Sequence, residues 1–142
     1  HVLDAYAGTG ALAIEALSRG AAHAVLVERD RPALKALRQN LTDLNLTARA
    51  TVLACPVERA AKKLAEAAPF DVIFADPPYA SLESTAMVLA TWVRSPSILA
   101  PDGTLVIEHA AHDDPPKLSG MHVVRTRCYG DTAVTFLVFL AI

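Results

Sequence analysis

The opening of the chain, residues 2–12, constrains the fold more than any other stretch. An apolar run, Val2-Leu3-Asp4, leads through a turn that ends in Gly8-Thr9-Gly10, and residues 11–19 are typical of a helix. Glycine has no Cβ and tolerates positive φ, so this turn can be sharp and can leave its backbone amides uncovered. The free N–H groups of the first helical turn face the same crevice. We therefore predict that a ligand with a carboxylate, a phosphate or a ribose lies against this turn.

Strand and helix patterns alternate along the rest of the chain. Apolar runs predict further strands at residues 24–28, 51–54, 70–76, 104–108, 122–129 and 132–140. Helices are predicted at residues 57–68 and 83–93, and a turn at residues 101–103. A further helix, capped by Asp30, would pack four leucines on the sheet, namely Leu34, Leu37, Leu41 and Leu44.

The last two strands flank Gly130-Asp131, which is short enough only for an antiparallel hairpin. The earlier strands alternate with helices, which is typical of parallel pairing through crossover connections. We therefore predict a single α/β domain over residues 1–142. Its seven-stranded sheet would be mainly parallel and doubly wound, with a C-terminal antiparallel hairpin.

The composition favours a soluble cytoplasmic protein. The chain has 142 residues and is 53% hydrophobic, enough for a core without disulfides, and its two cysteines, Cys55 and Cys128, lie in no metal-binding spacing. No apolar run reaches the roughly 18 residues of a membrane span, so we expect no membrane partner, and we expect a monomer. The net charge is −2, which is not typical of a domain that holds nucleic acid by phosphate neutralisation alone.

Three segments should meet at the carboxyl ends of the strands, where open α/β sheets bind ligands. They are the turn Ala7-Gly8-Thr9-Gly10, Glu28, and the segment Asp76-Pro77-Pro78-Tyr79. Glu28 follows Gly10 by 18 residues, close to the ~20-residue offset at which an acid reaches ribose hydroxyls. Residues 8–13 also satisfy the G-x-G-x-x-A form of a dinucleotide site, so a nicotinamide enzyme is a second interpretation.

The segment Asp76-Pro77-Pro78-Tyr79 predicts a site for a planar amine. Two prolines directly after a buried strand fix the backbone and remove two donors, which favours a functional turn over a merely structural one. The lone pair of such an amine is delocalised, and the Asp76 carboxylate and the Pro77 carbonyl could each accept one of its N–H bonds. The lone pair would then point toward an electrophile above the glycine turn. Tyr79 would stack on a flipped-out or single-stranded base.

Together these segments resemble the class I S-adenosylmethionine-dependent amino-methyltransferases. Residues 7–21, residues 70–79 and Tyr129-Gly130-Asp131-Thr132 are similar to the RsmD family, which methylates N2 of a guanine in small-subunit (16S) ribosomal RNA. The resemblance implies a Rossmann-like class I methyltransferase fold, S-adenosylmethionine as cofactor, and ribosomal RNA or the small ribosomal subunit as partner. Two alternatives stay open, an adenine-N6 methyltransferase on DNA or RNA and a non-catalytic module that binds the cofactor.

The resemblance also assigns roles to individual residues. Glu28 would hold the ribose hydroxyls, and Asp4 would support the turn and the cofactor amine. The full set of cofactor-binding positions is Asp4, Ala7, Gly8, Thr9, Gly10, Glu28, Arg29 and Asp76. The catalytic residues would be Asp76, Pro77 and Tyr79, and the acceptor base would be held by Pro78 and Tyr79.

Two features depart from the family pattern. Where the family offers an acidic residue to the adenine after the third strand, this chain has Cys55-Pro56-Val57, so we expect backbone or packing to read the adenine. The family also has an N-terminal extension that helps to grip RNA. This sequence starts on the first core strand, and we expect that extension to be missing from it.

Two other groups of polar residues have simpler interpretations. The first group resembles metal ligands in type and consists of His109, His112, Asp113 and Asp114. These residues fall in a polar, proline-bounded stretch, so we predict a solvated loop without a metal site. Arg125 and Arg127 alternate on one strand face, which we predict to be solvated rather than bound to RNA phosphates.

Overall fold

The computed structural model describes residues 1–78, 82–94 and 97–140. Its strands are β1 (Val2–Asp4), β2 (Ala24–Val27), β3 (Ala50–Leu53), β4 (Phe70–Ala75), β5 (Leu99–Ala110), β6 (Met121–Tyr129) and β7 (Thr132–Phe139). Its helices are α1 (Ala11–Ser18), α2 (Arg31–Asp43), α3 (Ala61–Ala67) and α4 (Leu82–Trp92), with 3₁₀ segments at Thr47–Arg49 and Val57–Arg59. In these ranges, no helix has both the length and the apolar composition of a membrane span.

The seven strands form one sheet in the order β3-β2-β1-β4-β5-β7-β6. Neighbouring strands from β3 to β5 are parallel, while β7 runs antiparallel to both β5 and β6. The predicted parallel sheet with a C-terminal antiparallel hairpin is therefore confirmed. The strand order reverses at β1, between β2 and β4, so the carboxyl ends of these three strands flank the crevice where such sheets bind ligands.

The core has two layers because successive side chains of a buried strand point to opposite faces of the sheet. In β1, Val2 packs with Leu26 and the buried leucines of α2, whereas Leu3 packs with Ile73 and the helices of the other face. Both layers hold β1 in the middle of the sheet. The glycine turn therefore follows a central strand that is packed on both faces.

Helix α2 begins as predicted, because the Asp30 carboxylate accepts the N–H of Ala33 at 3.0 Å. Three of the four predicted leucines are buried, namely Leu34, Leu37 and Leu41. The prediction for Leu44 is wrong. The helix ends at Asp43, one residue earlier, and Leu44 is 54% exposed, while Leu46 is buried instead after a left-handed turn.

Two predicted elements have different bounds in the structure. The helix predicted at residues 57–68 is divided into Val57–Arg59 and α3, because the N–H of Ala60 bonds to the Val57 carbonyl in a tight 3₁₀ turn. The strand predicted at residues 104–108 is longer and begins at Leu99. Its register with β4 shifts after the first pair, so residues 101–103 form an irregularity within β5 and not a turn before it.

Candidate active site

A cavity of about 580 Å³ lies at the carboxyl ends of β1 to β5. Six of its lining residues belong to the predicted site, namely Gly8, Glu28, Arg29, Asp76, Pro77 and Pro78. The remaining walls come from residues that follow β1 and β3, from α4 and from the end of β5, including Tyr6, Cys55, Glu58, Ser84 and Glu108. The structure thus brings the glycine turn, Glu28 and the start of the Asp-Pro-Pro segment to one cavity. Tyr79 lies outside the described residues.

The glycine turn needs both of its glycines, for different reasons. Gly8 has φ +57, and a Cβ added there would meet nothing within 4 Å, so its backbone faces open space at the cavity. Gly10 has φ +91, and a Cβ there would collide with the side chain of buried Leu37. Between them, Thr9 is exposed and its carbonyl accepts the side-chain amide of Asn40 at 3.0 Å. The turn is therefore held by α2 on one side and open to the cavity on the other.

Ala7 ties the turn to the sheet. It is buried, and its N–H donates to the carbonyl of Val27 at 3.0 Å, while its own carbonyl accepts the N–H of Gly10 at 2.8 Å. These bonds place the turn directly beside the end of β2. They leave the following residue, Gly8, with an N–H directed at a side chain rather than at the backbone.

That side chain is Glu28, which follows β2. One of its carboxylate oxygens accepts the N–H of Gly8 at 2.8 Å, and the other accepts those of Arg29 and Asp30, each at 2.9 Å. Three backbone donors hold the carboxylate in one orientation at the cavity wall. A carboxylate has about four lone-pair sites, so acceptor capacity remains for the hydroxyls of a ligand.

Asp4 ends β1 and is 1% exposed. The backbone N–H groups of Ala13 and Tyr6 bond to it, but its Oδ1 has no hydrogen-bond partner among the described residues. Burial raises the pKa of Asp4 to about 7, and the nearby carboxylates of Asp76 and Glu28 act in the same direction. A buried acceptor without a partner costs free energy unless something pairs with it, and a cationic amine at the glycine turn would do so.

Asp76 follows β4 and is exposed, whereas the next residue, Pro77, is buried. Its neighbour across the sheet is Glu108, because Ala75 pairs with Ile107 and the next residue of each strand lies beside the other. Both side chains line the cavity. Burial raises the pKa of both carboxyl groups, and the neighbouring charge of Asp76, followed by a hydrogen-bonding interaction with it, raises that of Glu108 further.

Three ionisable side chains of this cavity were not predicted from the sequence, namely Glu108, Tyr6 and Glu58. Glu108 could have been noticed as an acid at the carboxyl end of a strand, the position that also singles out Glu28 and Asp76. Tyr6 directly precedes the glycine turn, and its hydroxyl is hydrogen-bonded to the Oγ1 of buried Thr85 at 2.9 Å. Glu58 is exposed at the wall that follows β3. An acidic residue therefore follows β3 after all, three residues beyond Cys55.

The four polar residues considered as metal ligands do not share one loop. His109 belongs to β5 and is buried, with Nε2 hydrogen-bonded to Thr135 at 2.7 Å and Nδ1 to the Ala110 carbonyl at 2.9 Å. The prediction of a solvated loop is wrong for this residue, because β5 extends further than the polar sequence suggests. Across the parts of the chain that the structure describes, no cluster of acidic, histidine and cysteine side chains could hold a metal ion.

Comparisons with known proteins bear on the family. The family model described as "Conserved hypothetical protein 95" matches residues 1–138. The chain belongs to this family. The resemblance to the RsmD family is confirmed by the names of relatives, and the fold by a solved structure.

"Putative rRNA methyltransferase YlbH" of Bacillus subtilis is 39% identical over 134 residues, which cover 93% of this chain and 72% of that protein. "Ribosomal RNA small subunit methyltransferase D" of Escherichia coli K12 is 40% identical over 77 residues, or 54% of this chain and 37% of that protein. The structure of "Putative methyltransferase yhhF" from Escherichia coli matches with a TM-score of 0.79 and 30% identity, covering 97% of this chain and 74% of that one. These names favour the methyltransferase interpretation of the glycine turn over the nicotinamide one.

Proposed function

We propose that this chain binds S-adenosylmethionine and transfers its methyl group to the exocyclic N2 of a guanine in small-subunit ribosomal RNA, in the cytoplasm. The observation that carries the proposal is that one cavity holds the glycine turn, Glu28 and Asp76. Family membership and the names of the relatives support the same chemistry.

The residues that line the cavity, together with buried Asp4 at the end of β1, fit the cofactor. The unpaired Oδ1 of Asp4 suits the cofactor ammonium, and the fixed carboxylate of Glu28 suits the ribose hydroxyls. The open face of Gly8 admits the methionine part beside Ala7, Thr9 and Gly10. When bound, the cofactor supplies an electrophilic methyl group on a sulfonium. On the opposite wall, Glu58 offers an acceptor to the adenine amino group, alongside backbone and packing at Cys55 and Val57.

The acceptor site lies on the β4 side of the cavity. Asp76 accepts one N–H of the guanine amine and the Pro77 carbonyl accepts the other, which turns the nitrogen lone pair toward the glycine turn. Pro78 lines the approach, and we predict that Tyr79 stacks on the base. Preorganised acceptors of this kind stabilise the positive charge that develops on the nitrogen in the transition state.

A second cavity of about 740 Å³ suits RNA phosphates. It lies between α2 and the end of β3, and four basic side chains line it, namely Arg29, Arg31, Lys35 and Arg38. Within residues 1–78, 82–94 and 97–140, no ion pair joins these four to a carboxylate. Positive charge is therefore concentrated beside the cofactor cavity although the chain as a whole carries −2.

Replacing Lys35 with alanine should weaken RNA binding and lower the slope of log K against log salt by about 1, as for one lost phosphate contact. The measurement is a salt titration of binding to small-subunit ribosomal RNA, with Lys63→Ala in α3 as control, since Lys63 is equally exposed but lies outside both cavities. Equal slopes for the two variants would remove this surface from the RNA interface. Because of the net charge, we expect binding by the isolated chain to be weak and to fall with salt.

Replacing Glu28 with alanine should weaken binding of S-adenosylhomocysteine by about 1–3 kcal/mol, as for the loss of a charge-assisted hydrogen-bond pair. Isothermal titration calorimetry measures the effect, with Glu66→Ala on the exposed face of α3 as control. The free energy of unfolding is measured in parallel, because the substitution also removes the acceptor of the Gly8 N–H. Unchanged affinity would exclude Glu28 from the site, and tight binding of NAD would overturn the cofactor assignment.

Nucleoside mass spectrometry of small-subunit ribosomal RNA, treated with the whole protein or with an Asp76→Asn variant, tests the proposed reaction. We expect N2-methylguanosine to form with the unmodified protein, and at a rate at least about 100-fold lower with the variant. Formation of N6-methyladenosine instead would identify adenine, and not guanine, as the acceptor base. The absence of any new methylated nucleoside, with cofactor binding retained, would indicate a non-catalytic module.

A further inference from the structure

Glu108 is an acidic residue of the cavity to which neither the motif nor the proposed function gives a role. It lies at the carboxyl end of β5, beside Asp76 at the end of β4, and both side chains line the cavity. The strand register fixes this proximity, because Phe74 pairs with Val106 and Ala75 with Ile107. The acceptor carboxylate therefore has an acidic neighbour built into the sheet.

A hydrogen bond between two such neighbouring carboxyl groups requires a proton, since two ionised carboxylates have no donor. Burial raises the pKa of both groups, and the charge of Asp76 raises that of Glu108 further. Asp76 has to stay ionised to accept an N–H of the amine, so the proton belongs on Glu108. Asp76 then accepts the Glu108 O–H and carries the negative charge. Such charge-assisted bonds are short and strong, and they hold both groups in a fixed geometry.

We propose that Glu108 is a positioning residue for methyl transfer: its protonated carboxyl donates to one oxygen of Asp76 and leaves the other oxygen to accept the N–H of the acceptor amine. The inference rests on the proposed function, because it concerns the same amine. In addition, Asp76 and Glu108 share one proton while the site is active. Loss of that proton would leave two anions side by side and would release Asp76 from its orientation.

Other ionisable groups lie near the Asp76–Glu108 pair. They belong to the ends of β1, β2 and β3 and to the loop after β5, and they are Asp4, Tyr6, Glu28, Arg29, Glu58 and Asp113. His109 follows Glu108 in sequence and bonds to Thr135. Most of these groups are acidic, so they favour retention of the shared proton.

The test compares Glu108→Gln with Glu108→Ala in the whole protein across pH. Glutamine keeps a donor for Asp76 but cannot ionise, whereas alanine has none. We expect Glu108→Ala to lower kcat about tenfold or more, and Glu108→Gln to restore most of that loss. In the unmodified enzyme kcat should fall as the pH rises through the raised pKa of Glu108, and Glu108→Gln should lack this fall. Binding of S-adenosylhomocysteine should be equal in all three proteins, which shows that they are folded.

A glutamine variant as slow as the alanine variant, or an alanine variant with full kcat, would overturn the inference. A readout without methyl transfer separates it from the proposed function. The carbon-13 NMR titration of the Glu108 carboxyl should show a raised pKa that falls in an Asp76→Asn variant, and an unshifted pKa would also overturn it. If the unmodified protein methylates no RNA while this titration behaves as expected, the proposed function fails and the proton-sharing pair stands.

Discussion

Asp76→Asn should lower kcat about 100-fold or more in the whole protein and leave cofactor affinity almost unchanged. The Asp76 carboxylate lies at the cavity wall next to Pro77, where it would accept an N–H of the amine. The amine nitrogen gains positive charge as it attacks, so a negative acceptor stabilises the transition state more than the ground state. Asparagine keeps the size of the side chain, removes the charge, and in one orientation presents a donor to the amine.

The measurement is steady-state methyl transfer to ribosomal RNA together with calorimetry of S-adenosylhomocysteine. Asp102→Asn is the matched control, since it removes the same charge from an exposed position in the amino-terminal part of β5. A roughly 100-fold loss corresponds to one preorganised electrostatic contact. If Asp76→Asn lost cofactor affinity while keeping kcat, Asp76 would be a binding residue and the amine-acceptor mechanism would be wrong.

The fold could be predicted from the sequence because its central strands are continuous apolar runs and α2 has regular leucine spacing. Continuous apolar runs such as residues 24–27 have few other places in a folded chain. Errors occurred where tertiary contacts decide. Leu44 fits the helical spacing, but the helix ends before it. The residues Pro101-Asp102-Gly103 are typical of a turn, but the structure includes them in β5, where the register with β4 shifts.

The site residues that directly follow predicted strands could be identified from the sequence. The glycine turn, Glu28 and Asp76 all follow apolar runs, and parallel strands bring such positions together. Glu108 was missed because its role depends on which strand lies beside β4, and the sequence does not state strand order. Glu58 was missed because it belongs to a 3₁₀ turn that the helical pattern concealed. The stacking role of Tyr79 stays a prediction.

Asp4→Asn should make the free energy of unfolding much less dependent on pH. In the folded protein, burial raises the pKa of Asp4 from its usual 3.8 to about 7. A raised pKa means that the group's contribution to stability is fully present below pH ~4 and is lost as the pH rises through about 7. One pKa unit is worth ~1.4 kcal/mol, so the loss between pH ~4 and pH ~8 is about 4 kcal/mol. Asparagine is neutral throughout and should not show it.

Urea unfolding between about pH 4 and pH 8 measures this difference, with Asp43→Asn at the exposed end of α2 as control. The quantity to compare is the slope of the free energy of unfolding against pH. The asparagine NH₂ group adds an unpaired buried donor, but its cost is the same at every pH. Equal slopes for Asp4→Asn and the unmodified protein would show that Asp4 ionises normally. Cofactor binding should respond in the opposite sense. A cationic amine beside the unpaired Oδ1 favours the ionised carboxylate, so affinity for S-adenosylhomocysteine should rise toward about pH 8 in the unmodified protein and stay flat in the variant.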